Sequence, residues 1–323
     1  MPIVHATVPP ESFGERLDKA LARLFPEHSR ARLQRWLREG RIRVEGAARG
    51  PADRVSGGER IDLDLPEVEP AAAAPAAQAI PLRVLYEDAD LLVVDKPPGL
   101  VVHPAAGNPD GTLLNALLHH DPALAALPRA GLVHRLDKDT SGLLVVARSL
   151  RAHTHLVQQL QARSMGRRYL ALVQGRVIAG GTIEAPIGRH PRDRKRMAVR
   201  ADGRPAVSHY RVAARYRAHT LLEVALETGR THQIRVHLAA RGWPIVGDPV
   251  YGGRLRLPPA AAPALAAVLR GFGRQALHAR ALYLRHPADG RPMDFEAPPP
   301  ADFQALIEAL AADAAAEAGA DGR

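Results

Sequence analysis

The stretch GLVHRLDKDTSGLLVVARS, residues 131 to 149, sets an ionisable cluster directly before a run that reads as a buried strand. Leu143 to Ala147 is continuously apolar and is closed by Arg148, the pattern of a strand covered on both faces. The polar residues before it, from Arg135 through Asp137, Lys138 and Asp139 to Gly142, then belong to a loop at the end of that strand. Loops held by a rigid sheet are where chemistry gathers. Asp137 stands between Arg135 and Lys138, and neighbouring cations keep a carboxylate ionised even in a partly dry cleft. A carboxylate nucleophile or base requires that state. Taken alone, the motif is accounted for equally well by a polar turn, so the rest of the chain has to decide.

Composition narrows the choice. The chain has 323 residues and a formal net charge of +10, enough length for one sizeable core plus a smaller domain, and a balance that favours a polyanionic partner such as nucleic acid. An anionic membrane is the weaker option, since no apolar run approaches the roughly 20 residues that span a bilayer. Met1 to Gly14 has neither a basic start nor an apolar core, so a signal peptide is not expected and a cytoplasmic protein is. There is no cysteine. Disulfides, thiolate zinc sites and thiol nucleophiles are thereby excluded, and with them RNA-modifying enzymes that attack a base through a thiol.

From the N-terminus, Leu17, Ala20, Leu21 and Leu24 recur at helical spacing within Glu15 to Phe25, and Pro26 stops that helix. Ser29 is a candidate N-cap for a second helix, in which Leu33, Trp36 and Leu37 form the packing stripe while Arg32, Arg35 and Arg38 climb another face. Arg32 and Arg35 are the expected phosphate contacts; a merely solvated arginine face is the alternative. Short strands follow, the clearest being the alternating Arg60 to Leu65. Residues 14–66 form a small domain with a cationic ridge on this reading. Residues 67–80, rich in Pro and Ala, form a linker.

The large domain, residues 81–310, alternates strands with helices. Helices are expected at Thr112 to His120, His153 to Arg163 and from Ala301, and strands at Leu91 to Val94, Gly166 to Val173, Val207 to Tyr216, Thr220 to Leu226, Leu277 to Arg285 and Pro292 to Glu296. Residues 311–323 read as a frayed tail. Arg189 to Arg204 reads as a basic, poorly periodic arm suited to phosphate contact. In ETGRTHQIRVHLAARG, Thr231 is a candidate cap for a helix through Ala240, placing Arg230 at its positive end, where an anion is favoured. His232 and His237 stand five residues apart, which does not put two metal ligands on one helical face, so no metal site is expected. Arg230 and Arg235 fit better as partners of a carboxylate or phosphate. Tyr169 stands out because aromatics make up only 4% of the chain; a protein that stacks bases serially carries more, yet one ring suffices for one base.

Four motifs in order, HRLDKDTSG around Asp137, GRRYLALV around Tyr169, GRTHQIRVH from Gly229 and GDPVYGG from Gly247, resemble the RluA family of pseudouridine synthases. The N-terminal module resembles the alpha-L RNA-binding domain first described in a ribosomal small-subunit protein, which narrows the likeness to members that modify large-subunit ribosomal RNA. The resemblance implies an α+β fold, with a central mixed, largely antiparallel sheet and flanking helices. It implies that Asp137 is the catalytic aspartate, that Arg135 fills the space left by a flipped base, and that Tyr169 stacks on the uracil and handles a proton. Arg230 matches the arginine paired with the catalytic carboxylate, and Ile234 an apolar residue lining the uracil pocket. The implied function is isomerisation of uridine in large-subunit ribosomal RNA, at the helix 69 stem-loop if the likeness is complete, by a monomer needing no cofactor, metal or membrane. The substrate is that RNA or its precursor particle. Action on another ribosomal site or on transfer RNA, and a non-catalytic ribosome-assembly factor, are the alternatives.

Overall fold

The computed structural model describes residues 3–26, 28, 30–64, 75–105, 107–193 and 196–321. The chain divides into two units, Met1–Ala74 and Pro75–Arg323. In the first, β1 (Ile3–Thr7), α1 (Leu17–Leu24), α2 (Arg30–Arg38), β2 (Ile42–Val44), β3 (Ala47–Ala48) and β4 (Arg60–Asp64) follow one another. The strands pair antiparallel in the order β1-β4-β2-β3. The period-two pattern of β4 sends Ile61 and Leu63 inward, where they meet Leu17, Ala20 and Leu21 of α1 and Leu33, Trp36 and Leu37 of α2. Ser29 and Leu65 lie outside the described residues.

The second unit runs β5 (Arg83–Glu87), β6 (Leu91–Lys96), α3 (Leu113–His120), β7 (Ser141–Ala147), α4 (Leu150–Gln161), β8 (Gly166–Gln174), β9 (Gly181–Glu184), β10 (Ile187–Arg189) and β11 (Met197–Val199). It continues with β12 (Val207–Arg215), β13 (His219–Leu226), α5 (Gln233–Ala240), α6 (Pro263–Gly271), β14 (Leu277–Arg285), β15 (Pro292–Glu296) and α7 (Ala301–Asp321). Nine strands form one sheet in the order β5-β6-β7-β14-β8-β13-β12-β9, with β15 also on β14. Every described pairing in it is antiparallel except β7 with β14, so the sheet is mixed and largely antiparallel.

Strand β7 is buried along its whole length. Its alternate residues serve two cores: Leu144 and Val146 join Leu92 and Val94 on one face, while Leu143 and Val145 join Leu91, Val93 and Leu156 on the other. Each such Leu or Val contributes roughly 1.5–3 kcal/mol on burial, which fixes the strand and hence the loop before it. Gly142 is needed here: its φ is +112°, and a Cβ would come within 2.2 Å of the Ala279 carbonyl oxygen on β14.

Three expectations change. The basic arm is in part a two-stranded ribbon, β10 with β11; Arg194 and Lys195 lie outside the described residues. The expected tail continues α7 to Asp321, and Arg217 pairs with both Asp313 and Glu317, one helical turn apart on that helix. Thr231 does not cap α5. The helix starts at Gln233 behind His232 in the left-handed region, since the Gln233 side chain already satisfies Thr228, Arg230, Val207 and Ser208. Among the described residues no helix is long and apolar enough to cross a membrane.

Candidate active site

The loop carrying Asp137 is tied down on several sides. Leu136 is buried beside it, the Thr140 amide donates to the Asp137 carbonyl at 3.1 Å, and Gln275 donates to the Thr140 hydroxyl at 3.1 Å. Beneath it lies Lys96, only 1% exposed. Its ammonium donates to the carbonyls of Pro97, Leu100 and Lys138 at 2.8, 2.9 and 2.8 Å. Three acceptors use all three N–H bonds, so the charged form is the one that closes this knot. Burial pushes the Lys96 pKa down to about 7, against the pull of Asp139 and Asp137.

Asp137 itself is partly open, its side chain 16% exposed, and receives Arg235 Nη1 at 3.0 Å. Arg235, in the first turn of α5, is buried. Its Nε and Nη2 edge is clamped by both oxygens of Asp248, at 2.7 and 2.9 Å. The amides of Val250 and Tyr251 donate to the same Asp248 carboxylate. Burial opposes charge on both partners, yet the pair prevails: the Arg235 pKa is raised and that of Asp248 lowered. The Tyr251 ring lies 5.1 Å from the Arg235 guanidinium carbon, centroid to atom. Arg230 therefore does not pair with Asp137. It stays in the loop before α5, where its Nε donates to the Pro205 carbonyl at 3.0 Å; the partner is Arg235, five residues further on and inside the helix.

A cavity of about 940 Å³ opens over the carboxylate, lined among others by Arg135, Asp137, Tyr169, Arg230 and Ile234. Tyr169, on β8, and Ile234, on α5, are buried apolar walls; Arg135 is exposed. Burial raises the Tyr169 pKa, with Asp137 adding to it, so the ring stands as a neutral phenol. Arg32 and Arg35 belong to the other unit, on α2. The Arg32 guanidinium carbon lies 5.9 Å from the Trp36 ring centroid, and Arg35 is 3.7 Å from Glu39. Sequence reasoning missed Lys96, Asp248 and Tyr251 as supports of the site. The second and third lay in the quoted GDPVYGG motif, which was the available signal.

The cavity offers an oriented carboxylate, a neutral tyrosine and an apolar wall, framed by cations. Such a set can attack or deprotonate a flat, neutral base next to a polyanionic backbone. Residues 90–240 match the family model described as RNA pseudouridylate synthase, and residues 15–61 match the S4 domain. The chain is 58% identical over 310 residues to ribosomal large subunit pseudouridine synthase D of Xanthomonas campestris pv. campestris, covering 96% of this chain and 93% of that one. It is 58% identical over 308 residues to the protein of that name from Pseudomonas aeruginosa, covering 95% and 96%. With the Escherichia coli K12 protein of the same name it shares 52% over 309 residues, covering 95% and 94%. Among solved structures, human RNA pseudouridylate synthase domain containing 4 superposes with a TM-score of 0.57 at 25% identity, covering 71% of this chain and 93% of that one. Fold, site and relatives agree that the chain belongs to the RNA pseudouridylate synthase family and is an RNA pseudouridine synthase with an N-terminal S4 domain.

Proposed function

We propose that this enzyme converts uridines of the helix 69 stem-loop of large-subunit ribosomal RNA to pseudouridine, with Asp137 as the nucleophile. The observation that carries the reading is the Asp137 carboxylate at the cavity, oriented by Arg235, which Asp248 in turn immobilises. The relatives named ribosomal large subunit pseudouridine synthase D, matched over nearly their whole length, support the substrate class. The reaction breaks the bond from ribose C1′ to N1 of uracil and forms one from C1′ to C5. The C5 hydrogen leaves as a proton and N1 gains one, so every atom is conserved and no cofactor or metal enters the balance. Asp137 attacks the target nucleoside, uracil detaches, turns and rejoins, and Tyr169 supports the ring. Extruding the base costs a few kcal/mol, least in a loop, and Arg135 offsets that cost by occupying the gap. Arg230 lines the cavity as a substrate cation, and Arg32 and Arg35 hold RNA phosphates. The enzyme acts as a cytoplasmic monomer on this reading.

Chemical mapping of pseudouridine in protein-free large-subunit RNA and transfer RNA, incubated with wild type or Asp137→Asn and nothing else, tests it. New sites confined to helix 69 with the wild type alone are expected. Sites elsewhere overturn the substrate, and turnover by Asp137→Asn overturns the nucleophile.

A further inference from the structure

Arg167, two residues before Tyr169 on β8, is 9% exposed, and its side chain has no ion pair or hydrogen bond with the described residues. Its Nε is sealed from solvent and unpartnered, while the side chain lines the catalytic cavity. The Nη1 end lies against Gly229, where a Cβ would come within 2.9 Å of it; Gly229 lines the same cavity. The charges nearby are already matched. Asp137 is taken by Arg235, and Glu227 by Arg163 and His209. The neighbours that feel Arg167 are Tyr169 and His134. Tyr169 is neutral. His134 is neutral too: burial, with Arg167 adding, pushes its pKa down to about 3, and its Nε2 accepts from the Val145 amide at 3.1 Å.

A buried guanidinium with no anion is costly to the folded protein, and a wall that keeps one next to a substrate cavity is built for an anion that arrives with the substrate. The unpartnered terminal edge of Arg167 carries two parallel N–H bonds, a fork that matches two oxygens of a phosphate. Uracil presents no such pair: its edge alternates acceptor, donor, acceptor. We infer that Arg167 is the binding site for a phosphodiester flanking the flipped uridine, held from inside the cavity rather than from the protein surface. This rests on an RNA substrate entering at Asp137.

The test is single-turnover modification of a helix 69 stem-loop made three ways: unsubstituted, and with one uncharged methylphosphonate on the 5′ or the 3′ side of the target. On unsubstituted RNA, Arg167→Met should raise the half-saturating concentration about ten- to a hundredfold with the maximal rate little changed. One of the two neutral linkages should cost the wild type a similar factor, and combining it with Arg167→Met should cost little more than either alone. Arg167→Lys, with charge but no fork, should fall between. Without RNA, Arg167→Met should melt no lower than wild type, because an unpaired buried charge has been removed. Unchanged half-saturation, additive losses at both linkages, or a fall confined to the maximal rate would each overturn the inference. If the wild type leaves the unsubstituted stem-loop unmodified, the helix 69 reading fails. Arg167 is then judged on full-length ribosomal RNA, where equal half-saturation for wild type and Arg167→Met overturns its role.

Discussion

Arg235 reaches Asp137 at 3.0 Å from a guanidinium whose opposite edge Asp248 holds at 2.7 and 2.9 Å. The reactive carboxylate is thus aimed by a side chain that cannot turn, and the immobilising charge sits one step away from the cavity.

Asp248→Asn should therefore damage catalysis without touching substrate. One amide oxygen cannot replace two charged acceptors, and Arg235 is left buried with Asp137 as its single anion. The maximal rate should fall about ten- to a hundredfold, with RNA affinity preserved, and stability by about 3 kcal/mol. The pH dependence has a definite sign. Asp248 has its pKa lowered from 3.8 in the folded protein, against burial, by Arg235. Its stabilisation is present above 3.8 and is lost as pH falls toward the folded value. Acid melting curves should be steeper for wild type than for Asp248→Asn below pH 4; equal slopes would remove Asp248 from the account.

Much of this site was legible because chemistry and packing signals coincided. The apolar run Leu143 to Ala147 read as a doubly covered strand, which it is, and that placed the aspartate at its mouth. The choice between Arg230 and Arg235 was not legible. It depends on where α5 begins, and that is decided by four hydrogen bonds of Gln233 to residues distant in the sequence or in the preceding loop. By residue type Thr231 was the better cap. Lys96 was hidden for another reason: lysine is rarely buried, and only the fold brings three carbonyls to its tip. Helix α6 went unread within a Pro- and Ala-rich stretch without a strong polar face.

Tyr169→Phe separates stacking from proton handling. The ring and its burial are kept and the hydroxyl, which has no hydrogen-bond partner among the described residues, is lost. RNA affinity should stay within about twofold while the rate falls about a hundredfold. Since burial raises the tyrosine above its ordinary 10.0, no loss of wild-type activity below pH 10 should trace to its ionisation. Equal rates for Phe and Tyr would leave the ring as a stacking wall alone.

Arg32→Ala with Arg35→Ala tests the S4 domain. Both arginines stand on α2, whose other face is committed to the core through Leu33, Trp36 and Leu37. If each holds one phosphate, affinity should weaken and the slope of log affinity against log salt should shrink by about 1.4 to 1.8. The maximal rate at saturating RNA should not change. A loss of affinity with the slope intact would mean that the helix was disturbed rather than two phosphate contacts removed.

Lys96→Met asks whether the catalytic loop needs its buried ammonium. Methionine fills similar space but leaves the carbonyls of Pro97, Leu100 and Lys138 without their donor, at a cost of about 3 kcal/mol or more. Asp137 lies on the released loop, so the rate should drop more than RNA affinity does. A pH measurement isolates the charge. Burial lowers the Lys96 pKa from 10.5 to about 7, so between those values the unfolded chain binds more protons than the folded one. Stability should rise with pH across that window, by at most about 1.4 kcal/mol per unit from this group. Over the same window the neutral amine keeps only two N–H bonds for three carbonyls, and activity should decline as the loop loosens. Opposite trends of stability and activity in the wild type, both lost in Lys96→Met, would identify this lysine as the group that titrates. Parallel trends, or trends that survive the substitution, would assign them elsewhere.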